Sequence, residues 1–348
     1  MWYLCPVQRT ITIVGGGLAG LTLGLLLRRD GVPVEVWDAG TYPRHRVCGE
    51  FISGRGLEIL RQLGIPKLVE SGIEAKSVRF FHSEWCSSAF TLPESAFSID
   101  RATLDHGLAA EFRNAGGQLR ENQRWTRPYE SEGVVRATGR RLSNDGRQQF
   151  IGFKVHAHDL PLSADLELHF SDEAYVGLSR QKGGTVNVCG LFQKSAGVRD
   201  VELRNGDVFR EVLSPVARAR LADARLDKDS FRAVAGISLK RETTRNTKEC
   251  RIGDSICMIP PMTGNGMSLA VESASLAAPF LANYSRGQAA WVEARKNISQ
   301  TCDGYFRRRL FSASILQKAA FTSIGRRSMM YLLETFPQCF TQWFRLTR

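Results

Sequence analysis

Length, composition and charge set the broad class of this protein. The chain has 348 residues, which is enough for a large core and two closely joined domains. Its 43% hydrophobic and 24% charged residues are ordinary for a globular protein. The 47 Lys and Arg against 35 Asp and Glu give a net charge of +12, which suits a phosphorylated cofactor, an anionic substrate or a membrane surface. No aromatic-basic repeat supports nucleic-acid binding, which we do not expect.

Eight cysteines are scattered along the chain without a C-x-x-C pair, and no secretion signal precedes them. This usage is typical of reduced thiols, so we expect a cytoplasmic protein with an uncleaved N-terminus. Residues 11–27 are nearly all apolar, but three consecutive glycines and a length short of a full span argue against a membrane anchor. His156 and His158 lack further ligands at suitable spacing, so no metal site is expected.

The first predicted unit covers residues 10–38. An apolar strand at residues 11–14 leads into a G-x-G-x-x-G turn and an apolar helix, and a second strand at residues 32–37 ends in an acid. Strand, turn, helix and acid stand at the spacing of a dinucleotide-binding βαβ unit. The residues predicted to bind the cofactor here are Gly15, Gly17, Leu18, Ala19, Gly20 and Asp38.

Each part of this unit has a physical role in holding a dinucleotide. Gly15 permits the tight turn, Gly17 lets the backbone approach a pyrophosphate, and Gly20 allows the helix to pack closely on the strand. The free N–H groups at the helix start attract the anion. Asp38 is expected to accept hydrogen bonds from the adenosine ribose.

The polar, glycine-punctuated loop at residues 41–54 follows directly. An ordinary surface connection has this composition, but its place after the dinucleotide unit favours a loop lying over the cofactor, and we assign Arg46 to cofactor binding. Arg101 precedes a predicted helix at residues 103–115, where it reaches either the cofactor or a helix-flanking salt bridge.

The central part of the chain changes period. Residues 134–140 read as another short parallel strand, whereas alternating or apolar runs follow from residue 150 to residue 192. Such runs, separated by turns, predict an antiparallel sheet that presents a substrate. Residues 201–229 have a charged helical pattern and are predicted to form a helical insertion.

A second signature lies at residues 250–267. A strand delivers Gly253 and Asp254, a proline-fixed loop follows, and glycines precede a helix rich in small residues. Asp254 suits ribityl hydroxyls, and the positive end of the helix suits the pyrimidine edge of an isoalloxazine. The residues predicted to bind the cofactor here are Gly253, Asp254, Pro261, Gly264, Gly266 and Met267.

The pairing of an N-terminal G-x-G-x-x-G with a late G-D-x(5)-P-P-x(2)-G-x-G-M resembles FAD-dependent oxidoreductases of the para-hydroxybenzoate hydroxylase-fold and geranylgeranyl reductase-like group. The resemblance extends to about residue 300. Residues 43–49 look most like the P-x(4)-C-G loop of geranylgeranyl reductase-type proteins. The group's middle D-G motif appears only as Ala137-Thr138-Gly139-Arg140, without its acid, and the aromatic sheet motifs of prenyl reductases and halogenases are missing.

The resemblance implies an α/β fold with a Rossmann-type FAD-binding domain, an inserted antiparallel-sheet substrate domain and a helical C-terminus. The expected ranges are 1–75, 101–148 and 246–290 for the FAD-binding domain, 76–100 and 149–245 for the substrate domain, and 291–348 for the C-terminal helices. Residues 291–348 alternate arginines with apolar side chains, which favours a helical lid over a membrane-surface patch. The oligomeric state is left open.

The implied activity is an NAD(P)H-dependent monooxygenase acting on a hydrophobic or aromatic small molecule. No second G-x-G-x-x-G is present, so NADPH or NADH is expected to dock transiently. The alternative is reduction or desaturation of a C=C bond, with His45, Cys48 and Glu50 as the candidate catalytic residues that handle protons. An alternative of another class is a protein that binds FAD without turnover.

Overall fold

The structure of this protein is a computed structural model that describes residues 8–140, 150–193, 215–237, 247–256 and 259–348. It contains two sheets and a set of helices that pack on them. The strands are β1 (Ile11–Val14), β2 (Val34–Trp37), β3 (Phe51–Ser53), β4 (Ile73–His82), β5 (Trp85–Cys86), β6 (Phe90–Ser98), β7 (Gln118–Arg120), β8 (Val134–Arg136), β9 (Phe150–His158), β10 (Leu166–Phe170), β11 (Ala174–Arg180), β12 (Val186–Gln193), β13 (Arg225–Ile237) and β14 (Cys250–Arg251).

Helices make up much of the rest of the described chain. They are α1 (Leu18–Arg29), α2 (Gly54–Gln62), α3 (Pro66–Val69), α4 (Arg101–Asn114), α5 (Pro215–Ala222), α6 (Gly266–Ser285), α7 (Trp291–Ala320), α8 (Ser323–Thr335) and α9 (Gln338–Leu346). No helix within these described ranges combines the length and the apolar composition needed to cross a bilayer.

The smaller sheet is parallel and forms the dinucleotide-binding half. Its order among the described strands is β14-β8-β1-β2-β7, with Ile11 opposite Val34 in the central pair. Ile11 and Ile13 are fully buried because they pack in one apolar cluster with α1 and α6, whereas Thr12 and Glu35 on the opposite face of the sheet are only partly buried. The predicted strand at residues 134–140 is therefore present as β8, and it pairs with β1.

The larger sheet is mixed. Its order within the described residues is β13-β9-β12-β11-β10-β4-β6-β3, with β5 paired to β4 at the side. Only β10 and β4 run parallel, and the other pairs are antiparallel as predicted. The sheet also includes Phe51–Ser53, a segment that the expected boundaries assign to the FAD-binding domain.

One sequence-based prediction is wrong in part. Residues 201–229 were expected to be helical, but residues 225–229 belong to β13, which pairs with the edge of β9. Tertiary pairing along β9 overrides the local helical pattern here. Residues 215–222 do form helix α5, and residues 201–214 lie outside the described residues.

The helices α8 and α9 lie over the larger sheet. Met329, Leu333, Phe340 and Phe344 are buried in one cluster with aromatic side chains of that sheet, and the Phe90 and Phe340 rings are 5.0 Å apart. The guanidinium of Arg326, only 2% exposed, pairs with Asp172 at the sheet turn. The apolar side of these helices is therefore part of the core.

The helix–strand contact at Gly20 leaves no room for a side chain. A Cβ at this position would lie 2.0 Å from the carbonyl oxygen of Gly15 and 3.2 Å from the side chain of Ile13. We predict that Gly20→Ala lowers the free energy of unfolding by about 1–3 kcal/mol, measured by urea denaturation.

Gly304 is the matched control, because it is exposed in α7 and a Cβ there would meet nothing within 4 Å. Gly304→Ala is expected to leave stability unchanged or to raise it by up to about 1 kcal/mol, since alanine is the better helix former. Equal unfolding midpoints for the two variants would contradict the close packing.

Candidate active site

One continuous cavity of about 1080 Å³ extends from the turn after β1 to the face of the larger sheet. Most of the residues singled out in the sequence meet on its wall. They are Gly15, Gly17, Leu18, Ala19, Asp38, His45, Arg46, Cys48, Glu50, Arg101, Asp254, Pro261, Gly264, Gly266 and Met267. Gly20 and Gly253 do not line it, and both serve packing instead.

The turn after β1 has the geometry that a pyrophosphate needs. Gly15 has φ +113°, and a Cβ there would lie 2.3 Å from the carbonyl oxygen of Ala137. Gly17 differs, since a Cβ would meet only the guanidinium of Arg46 at 3.8 Å. The space beside Gly17 is therefore open and belongs to the cavity.

The N-terminus of α1 faces this space without a cap. Its N-cap residue is Gly17, so no side chain caps the helix, and the first turn contains no acidic residue. Arg46 and Arg101 flank the same end, and both pair with the fully buried Asp105, at 3.2 Å and 2.9 Å. Burial opposes the charge of Arg101, but Asp105 outweighs it and raises the pKa above its ordinary value. Free amides and two fixed cations form an anion site.

Asp38 closes the other side of the turn. Its carboxylate accepts hydrogen bonds from the N–H of Gly16 (2.7 Å), the N–H of Gly40 (2.8 Å) and the guanidinium of Arg44 (2.6 Å). Burial alone would raise the pKa of Asp38, but these bonds lower it, so the group is ionised at neutral pH. An ionised acid on the cavity wall fits the predicted role of accepting ribose hydroxyls.

A second uncapped helix reaches the cavity from the opposite side. Helix α6 begins at Gly266, its N-cap Asn265 makes no capping bond, and the buried Oδ1 of Asn265 has no partner among the described residues. Gly264 has φ +63° in the loop before it. Asp254 lies half-buried at 3.9 Å from Arg140, and burial raises its pKa against the effect of that arginine.

These features fit FAD. The α1 end, with Arg46 and Arg101, would hold the diphosphate, and Asp38 would hold the ribose of the adenosine. The α6 end and the loop around Gly264 would hold the isoalloxazine, where partial positive charge suits a reduced flavin.

The loop at residues 45–50 meets a buried ionic cluster. Glu50 is fully buried, with φ +55°, and its two oxygens lie 2.9 Å from Nζ of Lys154 and 2.9 Å from Nε2 of His156. Nδ1 of His45 lies 3.0 Å from the same Lys154 Nζ. Burial and Lys154 lower the pKa of His45, so this imidazole is neutral at pH 7. His156 is buried in this cluster, with 9% of its surface exposed.

Four groups of this cluster are of the kind that bind metal ions, because ligand atoms of His45, Glu50, Asp100 and His156 lie within 4.8 Å of one another. The ammonium of Lys154 already lies among them, at 2.9 Å from Glu50, 3.0 Å from His45 and 3.9 Å from Asp100. A metal ion would have to displace this buried cation, so the arrangement favours a proton and hydrogen-bond network instead.

Cys48 stands at the centre of the loop. Its Sγ accepts a hydrogen bond from the N–H of Glu50 at 3.4 Å and lies 3.8 Å from the guanidinium of Arg101. The larger sheet fixes the loop, since Asn187 donates to the carbonyl of Cys48 and Ser179 donates to the carbonyl of Gly49. The three candidate catalytic residues therefore lie together at the junction of the two sheets.

Beyond the loop the cavity becomes an apolar chamber. We use this name for the part lined by Val78, Phe80, Leu92, Phe170, Tyr175, Leu191, Met262, Met329, Leu333, Phe340 and Phe344. Several polar residues that line the cavity or pair with residues on its wall were not predicted from the sequence. They are Arg44, Asp105, Lys154 and Arg348. Lys154 had a signal, because a lysine inside an apolar strand must find a partner.

Comparison with known proteins supports the cofactor assignment. Residues 8–158 match the family model described as FAD binding domain. The chain thus carries an FAD-binding domain and is an FAD-dependent oxidoreductase, and its fold is similar to that of the para-hydroxybenzoate hydroxylase-fold group. The predicted resemblance to this group and the predicted fold class are confirmed.

Two curated proteins and one solved structure illustrate the range of relatives. A menaquinone reductase from Mycobacterium tuberculosis (strain CDC 1551 / Oshkosh) is 22% identical over 319 residues, which cover 78% of this chain and 76% of that protein. Squalene monooxygenase SE1 from Panax ginseng is 23% identical over 307 residues, 75% of this chain and 56% of that protein. The flavin-dependent brominase Bmp2 superposes with a TM-score of 0.76 at 18% identity, over 97% of this chain and 93% of that chain.

The buried pair of Lys154 and Glu50 can be tested by thermodynamics. Both side chains are fully buried, so Lys154→Met removes the ammonium that balances Glu50 and leaves the carboxylate with only His156 and the N–H of Arg101 as partners. We predict a loss of about 3–5 kcal/mol in the free energy of unfolding, measured by urea denaturation. The double variant Lys154→Met/Glu50→Gln is expected to recover most of this loss, because it removes both charges.

Lys76→Met is the control, since Lys76 forms an exposed pair with Glu74. Its effect is expected to stay within about 0.5 kcal/mol. A double variant no more stable than Lys154→Met alone would show that the charge of Glu50 is not what Lys154 balances.

Proposed function

We propose that this flavoenzyme is an NAD(P)H-dependent monooxygenase that acts on a hydrophobic small molecule. The observation that carries the proposal is the continuity of the cavity. The part between the N-termini of α1 and α6 that would hold FAD, here called the FAD cradle, joins the apolar chamber without a dividing wall. A volume of about 1080 Å³ exceeds what one small ligand needs, and it suits a cofactor together with a substrate.

FAD, when bound, supplies hydride acceptance and activation of dioxygen. The residues of this chain provide the surroundings for that chemistry. Phe80, Phe170, Phe340 and Phe344 form walls that exclude water and bind apolar surface. The loop at Cys48 and Glu50 borders the chamber where the substrate would approach the flavin.

Support also comes from the relatives, among which squalene monooxygenase SE1 carries this reaction in its name. The hydride donor has no Rossmann unit of its own, since the sequence contains a single G-x-G-x-x-G. NADPH or NADH would therefore dock transiently at the cavity mouth, and a cytoplasmic location would supply either one.

The second candidate is reduction or desaturation of a C=C bond. The cluster around Glu50 favours it, because His45 and Cys48 line the cavity as candidate proton donors or acceptors, and Lys154 and His156 pair with Glu50 beside them. A menaquinone reductase among the relatives points the same way.

The two candidates differ in what happens to oxygen. We would reduce the FAD-loaded protein anaerobically with NADPH or NADH, add a panel of apolar aromatic and alkene compounds, and admit labelled dioxygen. A monooxygenase is expected to consume one dioxygen per nicotinamide and to place one labelled oxygen atom in the product, as measured by mass spectrometry.

A product that gains two hydrogens under anaerobic conditions, and that contains no labelled oxygen after labelled dioxygen is admitted, would overturn the monooxygenase in favour of C=C reduction. A panel without a suitable substrate gives neither product. The compounds are therefore first selected by the change in flavin absorbance that their binding causes. Absence of flavin reduction by both nucleotides would reject NAD(P)H as the donor.

The C-terminal helices also carry an outer surface, on which we propose peripheral contact with an anionic membrane. Its exposed apolar side chains are Phe311, Ile315, Ile324, Tyr331, Phe336 and Leu346. Its exposed cations are Arg307, Arg308, Lys318, Arg327 and Arg345. Apolar side chains among cations suit a negatively charged lipid interface.

Flotation with phosphatidylglycerol-containing vesicles tests this contact. We predict that the protein floats with them. Phe311→Ser/Ile315→Ser is expected to reduce the floated fraction by about tenfold, since two apolar side chains that would insert into the lipid are lost. Arg113→Gln, outside these helices, is the control. Equal flotation of both variants, or none of the wild type, would reject the surface.

A further inference from the structure

Arg348 lies inside the cavity, at the junction of the FAD cradle and the apolar chamber. Its Nε donates to Oγ of Ser53 at 2.6 Å, and its Nη1 donates to the carbonyl of Thr263 at 2.9 Å. Its guanidinium stacks 4.1 Å from the ring centre of Phe344. These contacts fix the side chain firmly, but every acceptor in them is neutral.

The surroundings of Arg348 thus differ from those of the other buried arginines of the cavity wall, because no carboxylate balances its charge. Within the described residues, no carboxylate lies within 4.0 Å of its guanidinium. The wall arginines with a carboxylate that close are Arg44, Arg46, Arg101, Arg136 and Arg140. Arg124 and Arg232 also reach the wall, but they are exposed to water.

An unpaired guanidinium in an apolar wall is poorly solvated. Burial lowers the pKa of Arg348 to about 10, and the more distant Glu94 offsets this only in part. The group still carries its charge at neutral pH. A ligand anion would regain the lost solvation, and charge-assisted hydrogen bonds are strong in such surroundings.

The position of Arg348 determines how a bound anionic ligand would be oriented in the cavity. Thr263, its partner, lies in the loop between Pro261 and Gly264 that precedes α6 and would border the isoalloxazine. Phe51 and Phe344 flank the guanidinium and line the way into the apolar chamber. An acidic group at Arg348 would therefore leave an apolar body in the chamber, beside the flavin.

We propose that Arg348 is the anion anchor of the substrate site, and that the substrate is an apolar molecule bearing one carboxylate. The inference rests on the proposed function in so far as it takes the apolar chamber as the substrate site. It adds a specificity residue and a substrate class, because a neutral hydrocarbon of the same shape would leave the guanidinium unpaired.

The test uses the oxidised, FAD-loaded protein and the matched probes 2-naphthoate and methyl 2-naphthoate, which differ in charge. Dissociation constants are read from the perturbed flavin absorbance, without a hydride donor. We expect the acid to bind at least about tenfold more tightly than the ester, since only the acid pairs with Arg348. Arg348→Met is expected to abolish this preference and to leave the affinity for the ester unchanged.

Arg348→Lys keeps the charge and is expected to retain part of the preference, which decides the matter if Arg348→Met loses FAD. Arg345→Met, an exposed position on α9, is the control and should bind like the wild type. Equal affinity for acid and ester in the wild type, or an unchanged preference in Arg348→Met, would overturn the anchor. Since no oxygen or turnover enters, this result is independent of whether the enzyme proves to be a monooxygenase.

Discussion

The contact of Glu50 with Lys154 and His156 of β9 is the interaction on which the site depends. Glu50 belongs to the loop that covers the cofactor cradle, whereas Lys154 and His156 belong to the larger sheet. Fully buried charges persist only when partners compensate them, so the loop is held in one position relative to the sheet. The left-handed backbone at Glu50 is maintained by the same contacts. The loop at residues 45–50 and the larger sheet therefore keep a fixed position relative to each other.

Around this contact the site is built from backbone as much as from side chains. Helices α1 and α6 both begin at the cavity without a side-chain cap, which costs each helix some stability. The cost is offset when an anionic or electron-rich group accepts from the free amides. Binding of FAD is therefore expected to stabilise the fold itself, in addition to enabling chemistry.

The sequence was sufficient for the features that depend on local order. Gly15, Gly17 and Asp38 could be placed at one site because turn, helix and strand are consecutive, and all three line the cavity, as do Asp254, Gly264 and Gly266 of the second signature. The partners that come from distant strands could not be assigned in this way. Lys154, Asp105 and Arg348 reach the site only through tertiary packing, and β13 became a strand because β9 offers an edge.

The order of strands in the parallel sheet has a consequence for how this chain acquires its structure. Strand β8 pairs with β1 on one side and with β14 on the other, and the whole of β9 to β13 lies between β8 and β14 in the sequence. The smaller sheet is therefore completed only by β14, a strand that follows β9 to β13 of the larger sheet in the sequence. Such long-range closure slows folding and couples the two halves into one cooperative unit. Damage to the larger sheet would then be detected first as weaker binding of the flavin.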